Sequence, residues 1–106
     1  MITVTIHRSN DSYAGFKVVG HAGYAEEGYD IICAAVSVLV VNAVNSIETF
    51  TDDKFAARED HGIVELILEG SVSDKTTLLL DSMILGLRDI QTQYGNEFIR
   101  LKTQEI

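Results

Sequence analysis

The chain of 106 residues has no proline and a single cysteine. Without proline there is no Pro-rich linker and no PxxP segment. One cysteine excludes an intrachain disulfide framework and a zinc site built from cysteines. It fits a reducing cytoplasm, which is the expected location. Cations are also scarce. Eight Lys and Arg against sixteen Asp and Glu give a formal charge of −8. Direct nucleic-acid binding normally needs a basic patch, so no nucleic-acid partner is expected. A basic protein partner is compatible with this charge, although solubility alone would also account for it. The longest near-apolar run, Ile31 to Val41, is too short to span a bilayer, so no membrane partner is expected. The opening MITVTIHRSND has no basic segment leading into an apolar core, so no signal peptide is expected.

What is present reads as one domain over residues 1–106, long enough for a real core. Thr3 to His7 alternates as a strand, with Ile2, Val4 and Ile6 on one face. Asn10, Asp11 and Ser12 supply a turn, and Tyr13 to Gly20 reads as the second strand of a hairpin. A loop with three glycines and two glutamates follows, from Gly20 to Tyr29. Asp30 is the expected N-cap of a helix running to about Thr51. That helix is apolar nearly all round in its first half, which implies burial on more than one face. Strands follow at Lys54–Asp60 and Ile63–Glu69, joined by a tight turn at His61 and Gly62. Ser73 or Asp74 caps a second helix to about Tyr94, with Gly95 as its C-cap, and Phe98 to Lys102 makes a final strand. The order ββαββαβ predicts an α+β two-layer domain.

The chemistry concentrates in GHAGYAEEGYDIICAAVS, residues 20–37. Cys33 is placed in the first helical turn, where the dipole favours thiolate, the reactive form. Most single cysteines are small buried hydrophobes. Here His21 lies twelve residues earlier on a bendable loop, and Ala34 and Ala35 leave room for a substrate backbone beside the sulfur. His21 is the natural base, with simple solvation as the plainer alternative, and His7 and His61 have no comparable neighbours. First-turn amides such as those of Cys33 and Ala34 are candidate oxyanion donors. Asp30 could orient His21, although its charge would disfavour the thiolate. Ser37, one turn after Cys33 on the same face, is a second supporting candidate, or else bonds back to the Cys33 carbonyl. Gly20, Ala22, Gly23 and Gly28 form a candidate substrate loop able to fold over a peptide, or simply make turns. Glu26 and Glu27 could attract basic residues or simply be solvated. No metal-ligand spacing such as HExxH occurs, so neither a metal nor a cofactor is expected.

The run Gly20-His21-Ala22, then Gly28, Asp30, Cys33-Ala34-Ala35 and Ser37, resembles the bacterial ribosomal-processing cysteine protease family, Prp. The resemblance covers nearly the whole chain. It implies a cytoplasmic, homodimeric endopeptidase of Gram-positive-type bacteria. Its implied substrate is the precursor of large-subunit ribosomal protein twenty-seven, whose N-terminal extension is cut off after an aromatic and before a small residue. Carried over by motif position, Cys33 is the nucleophile and His21 the general base.

Two readings of other classes remain beside the protease. One is a non-catalytic ribosome-assembly factor binding an extended basic peptide. The other is a thiol redox sensor, weakened by the lack of a second cysteine to resolve an oxidised one. A homodimer is also expected from the first helix. Val36, Leu39, Val40, Ala43 and Val44 share one side, while Val38 and Val41 point elsewhere, and one sheet can cover only one side.

Overall fold

The computed structural model describes residues 1–20, 29–60 and 62–106, with the side chains of Tyr29 and Asp30 left aside. The element order is β1 (Ile2–Ser9), β2 (Ser12–Val19), α1 (Tyr29–Phe50), β3 (Lys54–Asp60), β4 (Ile63–Glu69), α2 (Asp74–Tyr94) and β5 (Ile99–Glu105). The ββαββαβ order expected from the sequence is therefore the order found.

The first hairpin follows from its turn. Asn10 and Asp11 both adopt positive φ, 51° and 63°, the conformation that matches the twist of the flanking strands. Between His7 and Arg8 the register with β2 shifts, from His7↔Gly15 to Arg8↔Tyr13, leaving Ala14 as the extra residue of a bulge. The bulge puts Tyr13 on the same face as Phe16 and Val18. From there its hydroxyl donates to the Asp81 carboxylate of α2, while the Arg8 guanidinium stacks 4.6 Å over its ring.

The strands form one sheet in the order β3-β4-β2-β1-β5, with β5 parallel to β1 and every other pairing antiparallel. Each helix is thus a crossover between parallel strands. α1 carries β2 over β4 to β3, and α2 carries β4 over β2 and β1 to β5. The two crossovers start from antiparallel strands and run in opposite directions. Equal handedness then places both helices on one face, giving two layers. Ile32, Val36, Val40, Ala43 and Ile47 of α1 are buried, as are Thr76, Leu80, Met83, Leu87 and Ile90 of α2. They meet Ile2, Val4, Phe16, Val18, Leu66 and Ile99 from the sheet. Burying each such large side chain contributes roughly 1.5–3 kcal/mol.

The helices run antiparallel. Thr76 near the start of α2 faces Thr51 just beyond the end of α1, at 3.5 Å between hydroxyls. Further along, a Cβ on Gly86 would sit 2.9 Å from the Leu39 methyls, so glycine sets the closest approach of the two helices. By length and composition Ile31–Phe50 could cross a membrane, which the eleven-residue run considered from sequence did not suggest. Ile32, Val36, Val40, Ala43 and Ile47 are buried at regular spacing against the core, while Ile31, Val38, Val41 and Phe50 are exposed.

Three elements differ from expectation in their boundaries. β1 begins earlier and continues to Ser9, and β5 continues to Glu105. Their parallel pairing runs from Ile2↔Ile99 to Arg8↔Glu105. Backbone pairing thus carries both strands through polar residues that show no alternation. α1 contains Asp30 as its second residue, so Asp30 is not the N-cap. By contrast, Ser73 caps α2 by accepting from the Thr76 amide, and the Gly95 amide closes its end on the Gln91 carbonyl.

Candidate active site

The placement of Cys33 follows from the pattern of α1. Ile32 and Val36 point into the core, so Cys33 between them is half-buried, packed against the core on one side. With the helix beginning no later than Tyr29, Cys33 is at least its fifth residue. Its amide therefore faces the Tyr29 carbonyl and that of Ala34 faces Asp30, as the helical pattern requires. The expectation that Cys33 and Ala34 offer free first-turn amides as an oxyanion hole is accordingly corrected. Those donors are already used inside the helix. The terminal field also falls off within the first turn. A neighbouring imidazolium thus has more of any thiolate stabilisation to supply.

Ser37 lies one turn further on and is half-buried. It lines a small cavity of about 60 Å³ with Val18, Val36, Val40, Val41, Glu59 and Val64. That cavity fixes where the start of α1 sits. Val18 and Val64 pair across β2 and β4 close to the end of β2. Cys33, a turn nearer the helix start, stands over the same end of the sheet as Gly20.

Gly20 is itself tightly held. Its amide donates to the Gly62 carbonyl at 3.0 Å. Its φ is +95°, and a Cβ there would lie 2.5 Å from the Met1 carbonyl oxygen. Glycine is required at this position by backbone crowding alone, so the residue marks a turn whatever else the loop does. His21 follows directly. The topology thus brings Cys33 and the attachment point of His21 to one end of the sheet, although twelve residues separate them in the chain. His21 itself, Ala22, Gly23, Glu26, Glu27 and Gly28, together with the Asp30 side chain and His61, lie outside the described residues. His7 sits far from this end, on the uncovered face of the sheet with Thr5 and Lys17.

Among the described residues no group of three or more His, Cys, Asp or Glu is placed to hold a metal ion. Glu59 was not singled out from sequence, yet it faces α1 beside Ser37. The signal was present. A two-residue turn fixes Glu59 opposite Val64, and Val64 is an inward position of β4.

Comparison with known proteins identifies relatives of the chain. Residues 1–99 match the family model described as cysteine protease Prp. Over 113 aligned residues the chain is 34% identical to the ribosomal processing cysteine protease Prp of Bacillus subtilis, covering 100% of both chains. The crystal structure of an essential ribosomal processing protease Prp from S. aureus, in complex with a substrate peptide, superposes with a TM-score of 0.90 at 30% identity. It covers 98% of this chain and 100% of that one. A second structure of the S. aureus protease, with a covalently linked product peptide, gives a TM-score of 0.86 at 31% identity, again covering 98% and 100%. Of the protease, the assembly factor and the redox sensor, only the protease agrees with these matches: the chain belongs to the cysteine protease Prp family and is a cysteine protease.

Proposed function

We propose that this protease is the cytoplasmic endopeptidase that removes the N-terminal extension of large-subunit ribosomal protein twenty-seven, cutting after an aromatic and before a small residue. The observation that carries the reading is the whole-length similarity to relatives named for ribosomal processing, one of them seen with a substrate peptide. The acidic charge of −8 suits a basic ribosomal substrate. In this mechanism His21 takes the proton of the Cys33 thiol, and the thiolate attacks the scissile carbonyl. His21 returns the proton to the leaving amine, and water hydrolyses the thioester. A relative holding a covalently linked product peptide supports a covalent route. Asp30 and Ser37 are supporting residues, and Gly20, Ala22, Gly23 and Gly28 form the substrate loop. The working form is a homodimer, for which Val38 and Val41 at 68% and 44% exposure supply apolar surface that the sheet does not cover.

The test is incubation of the protein with the ribosomal precursor, followed by mass analysis. A single internal cut between an aromatic and a small residue is expected. A precursor of unchanged mass after prolonged incubation with folded protein would refute the substrate assignment.

A further inference from the structure

Beside α1, the end of β3 leaves a groove that the catalytic pair does not use. Val41, Val44 and Asn45 form one wall, and Ala57, Arg58, Glu59 and Val64 form the other. It is continuous with the small cavity at Ser37 through Val41, Glu59 and Val64, which line both. The groove therefore starts one helical turn from Cys33 and runs away from it along α1.

Its outer side is the free edge of the sheet. Among the described residues β3 pairs only with β4. The closing pair of the hairpin is Asp60↔Ile63, which exchanges both of its bonds in a two-residue turn. Alternation then gives Arg58↔Glu65 and Ala56↔Ile67 the same bonding. Phe55, Ala57 and Glu59 turn their backbone N–H and C=O outward. Ala56–Asp60 are all exposed, about 16 Å of edge. Ala57 leaves the groove floor open, because no bulk rises from it.

The charge is one-sided. Glu59 faces α1, opposite Val64, in surroundings otherwise made of Val18, Val36, Ser37, Val40 and Val41. Arg58 is turned to the other face, where it pairs with Glu65 at 3.3 Å. A free strand edge, a shallow apolar wall and one carboxylate at the end nearest the cysteine suit an extended basic peptide.

We propose that the peptide substrate adds as a strand to the edge of β3, with Glu59 selecting a lysine or arginine at one fixed position from the cut. This assigns a specificity-determining residue and rests on the protease reading above. Backbone pairing at Ala57 would give affinity without regard to sequence, while Glu59 would set the preference.

The test is a set of peptides from the cleavage region of the precursor, with one lysine moved stepwise away from the cut. One position is expected to raise kcat/KM about tenfold through KM, the size of a charge-assisted hydrogen bond. Glu59→Gln should flatten that peak, and Glu59→Lys should invert it in favour of glutamate at the same position. A flat profile in the unaltered protein, or a peak that survives Glu59→Gln, would overturn the proposal. A second measurement does not depend on turnover. With Cys33→Ala protein, added peptide should protect the Phe55, Ala57 and Glu59 amides from exchange, and Ala57→Pro should abolish that protection without disturbing the β4 ladder. Peptide-dependent protection without cleavage would count against the protease assignment and leave the groove standing. Protection already complete without peptide, or growing with protein concentration alone, would mean that the chain itself or a second copy fills the edge, and the proposal would fail.

Discussion

The two ends of α1 are held in different ways. Its far end is tied by side chains. The Thr51 hydroxyl donates to the Ile47 carbonyl at 2.7 Å and accepts from the Asp53 amide at 3.1 Å. Asp53 Oδ2 accepts from both the amide and the hydroxyl of Ser73, each at 2.8 Å. Ser73 in turn caps α2 at the Thr76 amide. One short cluster thus closes α1 and opens α2. At the near end the described residues include backbone ties. Gly20 is pressed against Met1 and bonded to Gly62, and a half-buried sulfur stands above. The difference separates two tasks. The anchored end supplies stability through local hydrogen bonds, and the opposite end carries the single cysteine. Substitutions at the two ends should therefore fail in different assays.

The largest effect is expected at the near end. Cys33→Ala should lower kcat by about four orders of magnitude or more, because no other thiol exists in the chain to replace it. Its melting temperature should stay within a few degrees of the unaltered protein, since Cys33 is only half-buried. Appreciable turnover by folded Cys33→Ala protein would erase the distinction between the ends. His21→Ala comes next, with an expected loss of about 10²–10⁴ in rate. His7→Ala, on the uncovered sheet face, should change little. Equal losses in both histidine variants would point to stability rather than proton transfer.

How far this was legible in the sequence depends on which forces set each feature. Alternation in Ile63–Glu69 and the cap at Ser73 are local signals, and β3, β4 and α2 lie where they were expected. The extension of β5 to Glu105 was not legible, because a partner distant in sequence, β1, dictates it. Nor was the bulge at Ala14, which turns Tyr13 toward Asp81 and depends on register with β1. At the site, the identity of Cys33 and Ser37 as neighbours on one helix face was legible from spacing. The start of α1 was not. Asp30 has the chemistry of a cap, yet the helix already includes Tyr29, and this removes the amides proposed for the oxyanion. The position of Glu59 was legible, since the short hairpin sets it opposite the inward Val64, although the sequence reading did not single it out.

A smaller effect is expected between the two ends. Val38 is 68% exposed midway along α1, and Leu85 of α2 is 64% exposed. A charge at Val38 would cost little in a monomer and far more in an apolar interface. Val38→Asp should shift sedimentation from dimer toward monomer at micromolar concentration, with part of the activity lost. A monomeric unaltered protein would refute the homodimer. A monomeric variant of full activity would keep the dimer and detach it from catalysis.

The smallest effects belong to the anchored end, and they should spare activity. Ser73→Ala removes the cap of α2, at a cost of about 1 kcal/mol. For a domain of this length that lowers the melting temperature by roughly 4 °C. Asp53→Asn adds a pH signature. The Thr76 hydroxyl and the Ser73 amide and hydroxyl hold the Asp53 carboxyl below its ordinary value. A lowered folded-state value means that the folded form binds the proton less readily than the unfolded chain does. The resulting stabilisation is full above the ordinary carboxylate range, about pH 4, and is lost as pH falls through the folded-state value. The gap in melting temperature between Asp53→Asn and the unaltered protein should therefore be widest near neutrality and close on acidification. A gap that stays constant down to strongly acidic pH would show that Asp53 acts by shape alone. Loss of peptide cleavage in either variant at a temperature where it is folded would join the two ends of α1 that the hydrogen bonding separates.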